Sequence, residues 1–355
     1  RHIRTVSFNT EQNRVVLIDQ RLLPHTVTFV ETEDYKQTAL AISNMTVRGA
    51  GAIGATAAYG LAQGCLAFKG DSMELFDRHV QDVFKTLADA RPTAVDPVNA
   101  MRGLLAQMAK GTTVAEKQQL ALSGAHAFAE EDIEHCRKIG ELGAELISDG
   151  MGILTHCNAG WLAFVDIGTA TAPFYQAQAQ GKNFHVYCDE TRPRSQGAIL
   201  TAWELAQAGI PHHIIPDNAA GHLMQRGKIQ MLITGADRVL GKTGEAANKI
   251  GTFARAVLAY YHHIPFYIAI PLSTLDWEME SGMDIPIEER TQDEVLCAWG
   301  VDDAGKRTKV HVGNPTSPAL NPGFDVTPAE LITVFITPEG IIKPGDLKKL
   351  KRPLK

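Results

Sequence analysis

The sequence predicts an α/β protein with a mainly helical amino-terminal domain and a carboxy-terminal domain built on a parallel sheet. In the second half, five short apolar runs each end in a polar residue, and most are flanked by segments long enough for a helix. This alternation is typical of a parallel sheet covered on both faces. In the first half, a short alternating region precedes Ala-rich and Leu-rich segments of helical length. The five apolar runs are residues 152–157, 185–190, 213–217, 231–237 and 266–271.

The first elements are predicted to form a small antiparallel sheet. Residues 4–8 and 14–19 alternate around a turn-prone segment, which predicts a β-hairpin, and residues 25–31 could add a third strand. Residues 35–148 then carry a helical pattern. We therefore expect a helical domain with a small sheet at its base.

The two halves are predicted to meet without a long linker, because no Ser, Gly or Pro-rich stretch separates them. We predict domains at residues 1–148 and 149–355, and a substrate cleft between them.

Composition narrows the possible functions. The chain has 355 residues, of which 45% are apolar. Its formal net charge of -6 gives no electrostatic reason to expect binding of nucleic acid. No apolar stretch reaches the ~20 residues of a membrane helix. The five cysteines form no C-x-x-C pair and are odd in number, which indicates a reducing cytoplasm. The first four residues lack the apolar core of a secretory signal, and since the chain does not begin with Met we expect it to start after the first codon.

Polar residues at the ends of the predicted strands are expected to share one rim, because ligands of parallel sheets bind outside the carboxyl ends of the strands. Cys157, Asp217 and Asp237 end three of the runs, and Asp189 is the last residue but one of a fourth. Cys157 is followed by small residues and a predicted helix, whose dipole would lower the pKa of the thiol, although a buried structural cysteine is the alternative. Asp237 is a candidate general acid, with its pKa raised by an apolar wall and other carboxylates, or else a turn cap.

A glycine-rich segment, residues 48–54, contains a literal G-x-G-x-x-G. The residues before it look helical, and no strand ending in an acid follows at the spacing that a dinucleotide site needs. We interpret it as a turn that opens a helix, with Arg48 at its mouth: a phosphate cradle or a helix-packing turn, which the spacing alone does not separate. Arg91 is a second guanidinium from the same domain, and two such arginines facing acids favour an anionic ligand.

Two further loops carry polar side chains that could reach a ligand. In the loop 189–197, Glu190 and Arg192 are expected to pair, and Gln196 lies where a helix start can present it to a ligand. Asn248 and Lys249 are expected at another helix start, where they could hold hydroxyls or a phosphate. The pairs His212-His213 and His262-His263 have no neighbour at ligand spacing, so no metal site is predicted.

Taken together, these segments resemble the methylthioribose-1-phosphate isomerase family, which is related to the regulatory subunits of the eukaryotic translation-initiation exchange factor. The resemblance runs almost end to end, and its motifs occur in the expected order. They are Arg48-Gly49-Ala50 with Ala52-Ile53-Gly54, Thr155-His156-Cys157-Asn158-Ala159-Gly160, Asp189-Glu190-Thr191-Arg192-Pro193, Gly235-Ala236-Asp237-Arg238, Ala247-Asn248-Lys249-Ile250-Gly251-Thr252 and Pro271-Leu272-Ser273-Thr274.

The resemblance implies a Rossmann-like carboxy-terminal domain, a homodimer, no cofactor and no metal. It implies the conversion of a cyclic aldose 1-phosphate to an open ketose 1-phosphate. The first candidate for the substrate is 5-methylthioribose 1-phosphate, an intermediate of methionine salvage. Cys157 and Asp237 match the family's catalytic pair: Asp237 would protonate the ring oxygen, and Cys157 would handle or stabilise the hydrogen transfer between C2 and C1. The residues that match ligand-binding positions are Arg48, Gly49, Ala50, Arg91, Gln196, Asn248 and Lys249.

Two departures from the family pattern bear on the substrate. Gly51 replaces the usual proline after Arg-Gly-Ala, which we expect to loosen the turn. Arg194 and Ser195 stand where apolar residues are common before the glutamine, and they could shape the far end of the substrate. Ribose 1,5-bisphosphate and 5-deoxyribose 1-phosphate therefore stay open as substrates. A non-catalytic regulatory subunit is the alternative of another class, although it would need neither Cys157 nor Asp237.

Overall fold

The chain begins with a three-stranded antiparallel sheet, as predicted. The computed structural model describes residues 3–92 and 94–350. Outside this range lie residues 1–2, Thr93 and residues 351–355, which the sequence analysis included in the two predicted domains. The strands pair in the order β1-β2-β3, with Val6 opposite Leu17 and Ile18 opposite Phe29. They are β1 (Val6–Asn9), β2 (Arg14–Ile18) and β3 (Phe29–Thr32).

Five helices follow and form the first core. The second of them is Ala-rich and Gly-rich and is buried along most of its length, so the others pack around it. Side chains mark the starts of the first and last: Asp34 accepts two backbone N–H groups, and Thr113 forms a capping box with Glu116. The helices are α1 (Tyr35–Ser43), α2 (Ala50–Ala67), α3 (Met73–Asp89), α4 (Asp96–Met108) and α5 (Val114–Ala144).

The remaining chain alternates strands with short helices. The strands are β4 (Met151–Thr155), β5 (Phe184–Asp189), β6 (His212–Ile215), β7 (Met231–Thr234), β8 (Arg238–Leu240), β9 (Ala246–Lys249), β10 (Phe266–Ala269), β11 (Leu275–Asp276), β12 (Cys297–Val301), β13 (Arg307–His311), β14 (Phe324–Thr327), β15 (Val334–Thr337) and β16 (Gly340–Ile342). The helices are α6 (Ala172–Ala179), α7 (Ala202–Gln207), α8 (Ala220–Gln225), α9 (Thr252–Tyr261) and α10 (Asp293–Leu296).

The main sheet has seven strands in the order β16-β15-β10-β7-β4-β5-β6. The five strands predicted from the sequence are adjacent and parallel in it, which confirms the parallel sheet. The sequence analysis did not include β15, which extends the sheet in parallel, or β16, which closes that edge in the antiparallel sense.

Both faces of the main sheet are buried, as expected for parallel strands. Ile153 of β4 packs with α5, α6 and α7 on one face, whereas its neighbour Leu154 packs with α8 and α9 on the other. The amino-terminal part of α5 belongs to the first core and its last turns belong to the sheet core. The helix therefore joins the two halves, and a domain boundary at residues 148/149 stays a prediction.

Two smaller sheets complete the second half. One has the order β11-β8-β9-β14, and the other is the hairpin β12-β13. Asn248 and Lys249 lie in β9, paired with β14, so the prediction that they start a helix is wrong: the following helix, α9, begins at Thr252. None of the described helices combines the length and the apolar character that a membrane crossing requires.

Candidate active site

A cavity of about 610 Å³ opens where the carboxyl ends of β4 and β7 face the start of α2. It is lined by every residue that the family resemblance assigns to catalysis, substrate binding or specificity, except Ser195. The lining comprises Met45, Arg48, Gly49, Ala50, Arg91, Cys157, Asn158, Ala159, Ala163, Phe164, Arg194, Gln196, Gly235, Ala236, Asp237, Asn248, Lys249, Arg290 and Phe324. Residues more than two hundred positions apart in the chain thus share one cavity between the two halves of the molecule.

Cys157 follows β4 and is held through its backbone. Its N–H donates to Oγ1 of Thr191 at 2.9 Å, and its carbonyl accepts from Oγ1 of Thr201 at 2.7 Å. Its φ of 67° lies in the left-handed region, so the backbone turns sharply where the thiol is presented. Such strain is often found at functional sites.

The environment of the thiol differs from the sequence expectation. No helix starts after Cys157: the next helical turn is a short 3-10 segment at Trp161–Ala163, and α6 begins only at Ala172. Burial raises the pKa of Cys157, while Arg48 and Lys249 act in the opposite direction. The predicted lowering of this pKa by a helix dipole is therefore wrong, and the thiol is protonated at neutral pH.

Asp237 follows β7, the strand next to β4 in the main sheet, and lines the same cavity. Its N–H donates to the carbonyl of Ala247 at 2.9 Å, which fixes the backbone below the carboxylate. The residue lies deep within the protein, but its own surface is open to the cavity. This depth raises the pKa of Asp237, opposed by the charges of Lys249, Arg48 and Arg91. A ligand that displaces water from the cavity would strengthen the effect.

The start of α2 forms the wall that carries Arg48, Gly49 and Ala50. Gly49 has a φ of 94°, and a Cβ atom there would overlap Ala163, so only glycine fits. Arg48 donates to Asn158, from Nη1 to Oδ1 at 2.6 Å and from Nη2 to the backbone oxygen at 2.9 Å. The helix start and the guanidinium together suit a phosphate.

Gly51 does not loosen this turn as expected. It is buried in the first turn of α2, where a Cβ atom would overlap the ring of Phe164 and lie 2.6 Å from Oδ1 of Asp132. Burial raises the pKa of Asp132 to about 7. The missing side chain at position 51 thus makes room for a tightly packed ring and a buried carboxyl group.

The third wall carries Lys249, Asn248 and Gln196. Lys249 donates to the carbonyl of Gly323 at 3.0 Å and lies 4.8 Å above the ring of Phe324. Oε1 of Gln196 is buried and accepts no hydrogen bond from the described residues, so it can accept one from a ligand hydroxyl. Burial lowers the pKa of Arg91 and of Lys249, and the charge of Asp237 acts in the opposite direction on both.

Arg194 and Arg290 are already paired. Glu294 accepts from Arg194 at 2.9 Å and from Arg290 at 2.6 Å, and the two arginines hold its pKa at about 2 against the effect of burial. Ser195 does not line the cavity, and its backbone N–H donates to Thr191. Sequence analysis missed Arg290 and Phe324, which lie outside any recognised ligand-binding motif.

Asp189 and Asp217 lie below the cavity rather than on its rim, contrary to expectation. Oδ2 of Asp189 accepts from Nδ1 of His156 at 2.8 Å and from Nε of Arg255 at 2.7 Å. Arg255 also donates to the carbonyl of Asp217, whose carboxylate accepts the N–H groups of Thr191 and Arg192. This charged network holds the loop that carries Cys157 and the turn that follows Lys249.

The same network contains the three potential metal ligands His156, Asp189 and Asp217, whose ligand atoms lie within 4.8 Å of one another. The guanidinium of Arg255 already supplies the positive charge there. The donor set therefore fits an arginine better than a metal ion. The expected pairing of Glu190 with Arg192 is wrong, because Arg192 donates to the carbonyls of Pro193 and Val295 instead.

The charges of the cavity favour an anion. Among the described residues, its lining includes five basic side chains but a single carboxylate, Asp237. The basic residues are Arg48, Arg91, Arg194, Lys249 and Arg290. A phosphate at the start of α2 would leave an attached sugar in the cavity that Cys157 and Asp237 line. The arrangement thus places an acid and a thiol at one cavity that suits a small phosphorylated molecule.

Comparisons with known proteins agree with this geometry. A model of the Initiation factor 2 subunit family matches residues 46–344. The methylthioribose-1-phosphate isomerase of Brucella anthropi is 46% identical over 358 residues, which cover 97% of this chain and 95% of the relative. The enzyme of the same name from Desulfatibacillum aliphaticivorans is 47% identical over 341 residues, covering 94% of this chain and 91% of the relative.

Solved structures of related proteins are also similar to this chain. The 5-methylthioribose 1-phosphate isomerase from Pyrococcus horikoshii OT3 is 39% identical, with a TM-score of 0.85 over 98% of this chain and 94% of that one. A structure described as the translation initiation factor eIF-2B, subunit delta, from A. fulgidus is 38% identical, with a TM-score of 0.83 over 98% of this chain and 100% of that one.

Proposed function

The chain belongs to the Initiation factor 2 subunit family, and from this membership we propose that it is an aldose–ketose isomerase of methionine salvage. It converts 5-methylthioribose 1-phosphate to 5-methylthioribulose 1-phosphate, the reaction of relatives that share about half of its residues over nearly its whole length. The observation that carries the proposal is the pair Cys157 and Asp237, which face one cavity rich in cationic side chains.

The chemistry requires help from the protein because the phosphate on C1 blocks the ordinary ring opening of a free hemiacetal. When the bond between C1 and the ring oxygen breaks, that oxygen gains a proton. The hydrogen on C2 moves to C1, and the C2 hydroxyl loses its proton to become the ketone. Asp237, with its raised pKa, is the acid that protonates the ring oxygen. Cys157 enters the reaction as a thiol beside C1 and C2, where it handles or stabilises the hydrogen transfer.

The substrate phosphate is assigned to the wall formed by Arg48, Gly49, Ala50 and Arg91, and Lys249 lines the same cavity. Neither Arg48 nor Arg91 pairs with a carboxylate among the described residues, so their charges are available to a ligand. Gln196 and Asn248 are assigned to the sugar hydroxyls. No step in this scheme needs a cofactor or a metal ion.

The enzyme is further proposed to work in the cytoplasm as a homodimer, with a Rossmann-like second domain from about residue 149. One face of α9 exposes Phe253, Val257, Tyr260 and Tyr261, and Tyr261 is 75% accessible. An apolar helix face of this kind supports contact with a second copy.

The test is a turnover assay that follows ketose formation from three sugars. They are 5-methylthioribose 1-phosphate, 5-deoxyribose 1-phosphate and ribose 1,5-bisphosphate. We expect the methylthio sugar to be the best substrate and the deoxy sugar to follow it. A preference for the bisphosphate would overturn the assignment of the substrate. If none of the three sugars were converted, the proposal that the chain is an isomerase would be refuted.

A regulatory role is the second candidate, favoured by the likeness to a structure described as an initiation-factor subunit. A regulator has no need of both a buried thiol and an acid on one cavity, which supports the isomerase. A stable complex with a translation factor, together with no turnover of any sugar phosphate, would reverse this ranking.

A further inference from the structure

Glu204 of α7 carries a buried carboxyl group that the proposed reaction does not use. The residue is 1% exposed and does not line the cavity. We propose that Glu204 positions the guanidinium of Arg48 through Asn158, and that its carboxyl group takes up a proton when a phosphate binds. The inference rests on the proposed function, which assigns the substrate phosphate to Arg48, and adds to it a positioning residue outside the cavity.

The carboxyl group of Glu204 holds the loop that follows Cys157. Its Oε1 accepts from Nδ2 of Asn158 and from the backbone N–H of Leu162, both at 3.0 Å. A Cβ atom at Gly160 would lie 1.7 Å from Oε2, so the backbone of this residue passes directly against the carboxyl group. The loop that presents the thiol is therefore fixed from behind by a side chain of α7.

Asn158 transmits the position of Glu204 to Arg48. The amide nitrogen of Asn158 donates to Oε1 of Glu204, so its amide oxygen faces Arg48 and accepts from Nη1 at 2.6 Å. Turning the amide by half a rotation would set its oxygen against the carboxyl oxygen and its nitrogen against the guanidinium, and neither pair can form a hydrogen bond. Glu204 thus selects the amide orientation that Arg48 needs.

The surroundings of Oε2 suit both protonation states of the carboxyl group. In the ionised state, Oε2 accepts from the hydroxyl group of Tyr175 at 3.2 Å. In the protonated state, Oε2–H donates to that hydroxyl oxygen, and the hydroxyl hydrogen can turn to Oγ1 of Thr171, which lies beside it, is buried and is otherwise unpaired among the described residues. Oε1 remains an acceptor in both states, so a proton can be added without releasing the loop.

The charges near Glu204 set the direction of the coupling. Burial raises the pKa of Glu204 to about 7, although its three hydrogen bonds and the charge of Arg48 act in the opposite direction. Tyr175 of α6 and Cys188 of β5 also face the carboxyl group, and the charge of Asp166 reaches Tyr175. Burial raises the pKa of both Tyr175 and Cys188, so neither carries a charge at neutral pH. Arg48 is thus the cation that favours the ionised form of Glu204.

A phosphate bound at Arg48 reverses this balance. Its negative charge neutralises the guanidinium and repels the carboxylate, so the protonated form of Glu204 becomes favoured. Binding therefore takes up a proton where Glu204 is ionised in the free protein, which is above about pH 7. Below this pH the carboxyl group is already protonated and the coupling disappears. Relative to a chain without the carboxyl group, the affinity for phosphate should weaken as the pH rises through this range.

Glu204→Gln tests the coupling, because glutamine keeps an acceptor for Asn158 and Leu162 but does not titrate. Calorimetric titration with inorganic phosphate, in buffers of different ionisation enthalpy, measures both the Kd and the protons taken up. We expect equal Kd values at about pH 6, and a Kd of the wild type that is larger by roughly threefold or more at about pH 8.5. The wild type should also take up more protons. Contributions of Asp237 and Lys249 are common to both chains and cancel in the difference.

Glu245→Gln is the matched control, because Glu245 likewise accepts a backbone N–H, from Gly282 at 2.9 Å, in a different segment. This variant should follow the wild type. Equal proton uptake and parallel pH curves in the wild type and Glu204→Gln would overturn the proposal, because a constant difference in Kd would indicate a purely structural role. A wild-type chain that binds no phosphate would overturn the phosphate site of the proposed function, and the coupling with it.

Tyr175→Phe is a second variant, and it keeps the carboxyl group of Glu204. It removes the hydrogen bond that favours the ionised form, so the midpoint of the pH dependence should move to higher pH by roughly half a unit or more. The ring that packs against the core of the main sheet is retained. An unchanged midpoint would overturn the assignment of the proton to Glu204.

Discussion

Arg48 and Asn158 are joined by two hydrogen bonds, one to the side-chain oxygen at 2.6 Å and one to the backbone oxygen at 2.9 Å. They connect the start of α2 with the loop that carries Cys157. The amide group of Asn158 donates in turn to Thr201 at 3.1 Å and to Glu204 at 3.0 Å. The orientation of the phosphate-binding guanidinium therefore depends on the loop that presents the thiol.

Replacing Asn158 with Ala is expected to weaken substrate binding more than catalysis. Arg48 would lose its side-chain acceptor and keep only the backbone oxygen, so KM should rise by roughly tenfold with a smaller change in kcat. Steady-state kinetics and the Kd of inorganic phosphate measure this effect. Asn314→Ala is the control, because the side chain of Asn314 bonds, within the described part of the chain, to the neighbouring residues Thr316 and Ser317. An unchanged Kd for phosphate in Asn158→Ala would contradict the coupling.

Removing either member of the catalytic pair is expected to abolish turnover without unfolding the chain. Cys157→Ala and Asp237→Asn should each lower kcat by about a thousandfold, the range seen for acid–base groups. Cys65→Ala, at a buried cysteine of the first core, is the matched control and should stay active. Substantial activity in both site variants, with unchanged melting temperatures, would refute the mechanism.

The pH dependence of the reaction should follow Asp237. The depth of its position in the cavity raises the pKa of this carboxyl, so the group stays protonated to a higher pH than an ordinary Asp. As the acid form is the one that protonates the ring oxygen, kcat/KM should fall as the pH rises through this pKa. A pH profile of kcat/KM checks the prediction, and a rate that increases over the same range would instead assign Asp237 as a base.

The parallel sheet could be predicted because its strands are short apolar runs that end in polar residues. The periodicity of apolar residues did not identify β15 and β16, which are not followed by a recognisable site motif. The same strand ends also predicted which residues lie near the cavity. They did not predict the direction in which each side chain points. Asp189 and Asp217 point into the network around Arg255, which forms only when distant loops meet.

The pKa of Cys157 shows the same limit. The small residues after it suggested a helix start, but the chain forms an irregular loop closed by a short 3-10 turn. The thiol is therefore governed by burial and by Arg48 and Lys249, which come from other parts of the chain. Environments assembled from distant segments cannot be read from local sequence.

Asp132 should make the free energy of unfolding depend on pH. Its pKa is raised to about 7 in the folded chain, against about 4 for an unfolded Asp. The folded state therefore binds the extra proton, and the stability that it gives is present below the unfolded pKa and is lost as the pH rises through about 7.

Asp132→Asn keeps an acceptor for the N–H of Val165, which lies 2.8 Å from Oδ2. Relative to this variant, the wild type should lose a few kcal/mol of stability between acidic and alkaline pH. Urea unfolding at a series of pH values measures the difference. Glu204 and Asp96 also have raised pKa values and act in the same direction in both chains, so they cancel in the comparison. Parallel pH profiles for the two chains would contradict the prediction.

Gly51 and Phe164 should be energetically coupled. A Cβ atom at position 51 would overlap the ring of Phe164, which is 4% exposed and has little room to move. We expect Gly51→Ala to lower the free energy of unfolding by about 1–3 kcal/mol, the usual cost of overpacking. Gly103→Ala is the matched control: this glycine is also helical, nothing lies within 4 Å of its Cβ position, and the substitution should stabilise by up to about 1 kcal/mol.

A double-mutant cycle separates steric overlap from a backbone effect. In a Phe164→Leu background the smaller side chain relieves the overlap, so Gly51→Ala should cost clearly less there than in the wild type. Asp132, with Oδ1 2.6 Å from the same Cβ position, keeps part of the cost in both backgrounds. An equal loss in the two backgrounds would mean that the first turn of α2, not the ring, requires glycine. The coupling would instead explain why this chain lacks the proline expected after Arg-Gly-Ala: a side chain there cannot coexist with Phe164 packed against the start of α2.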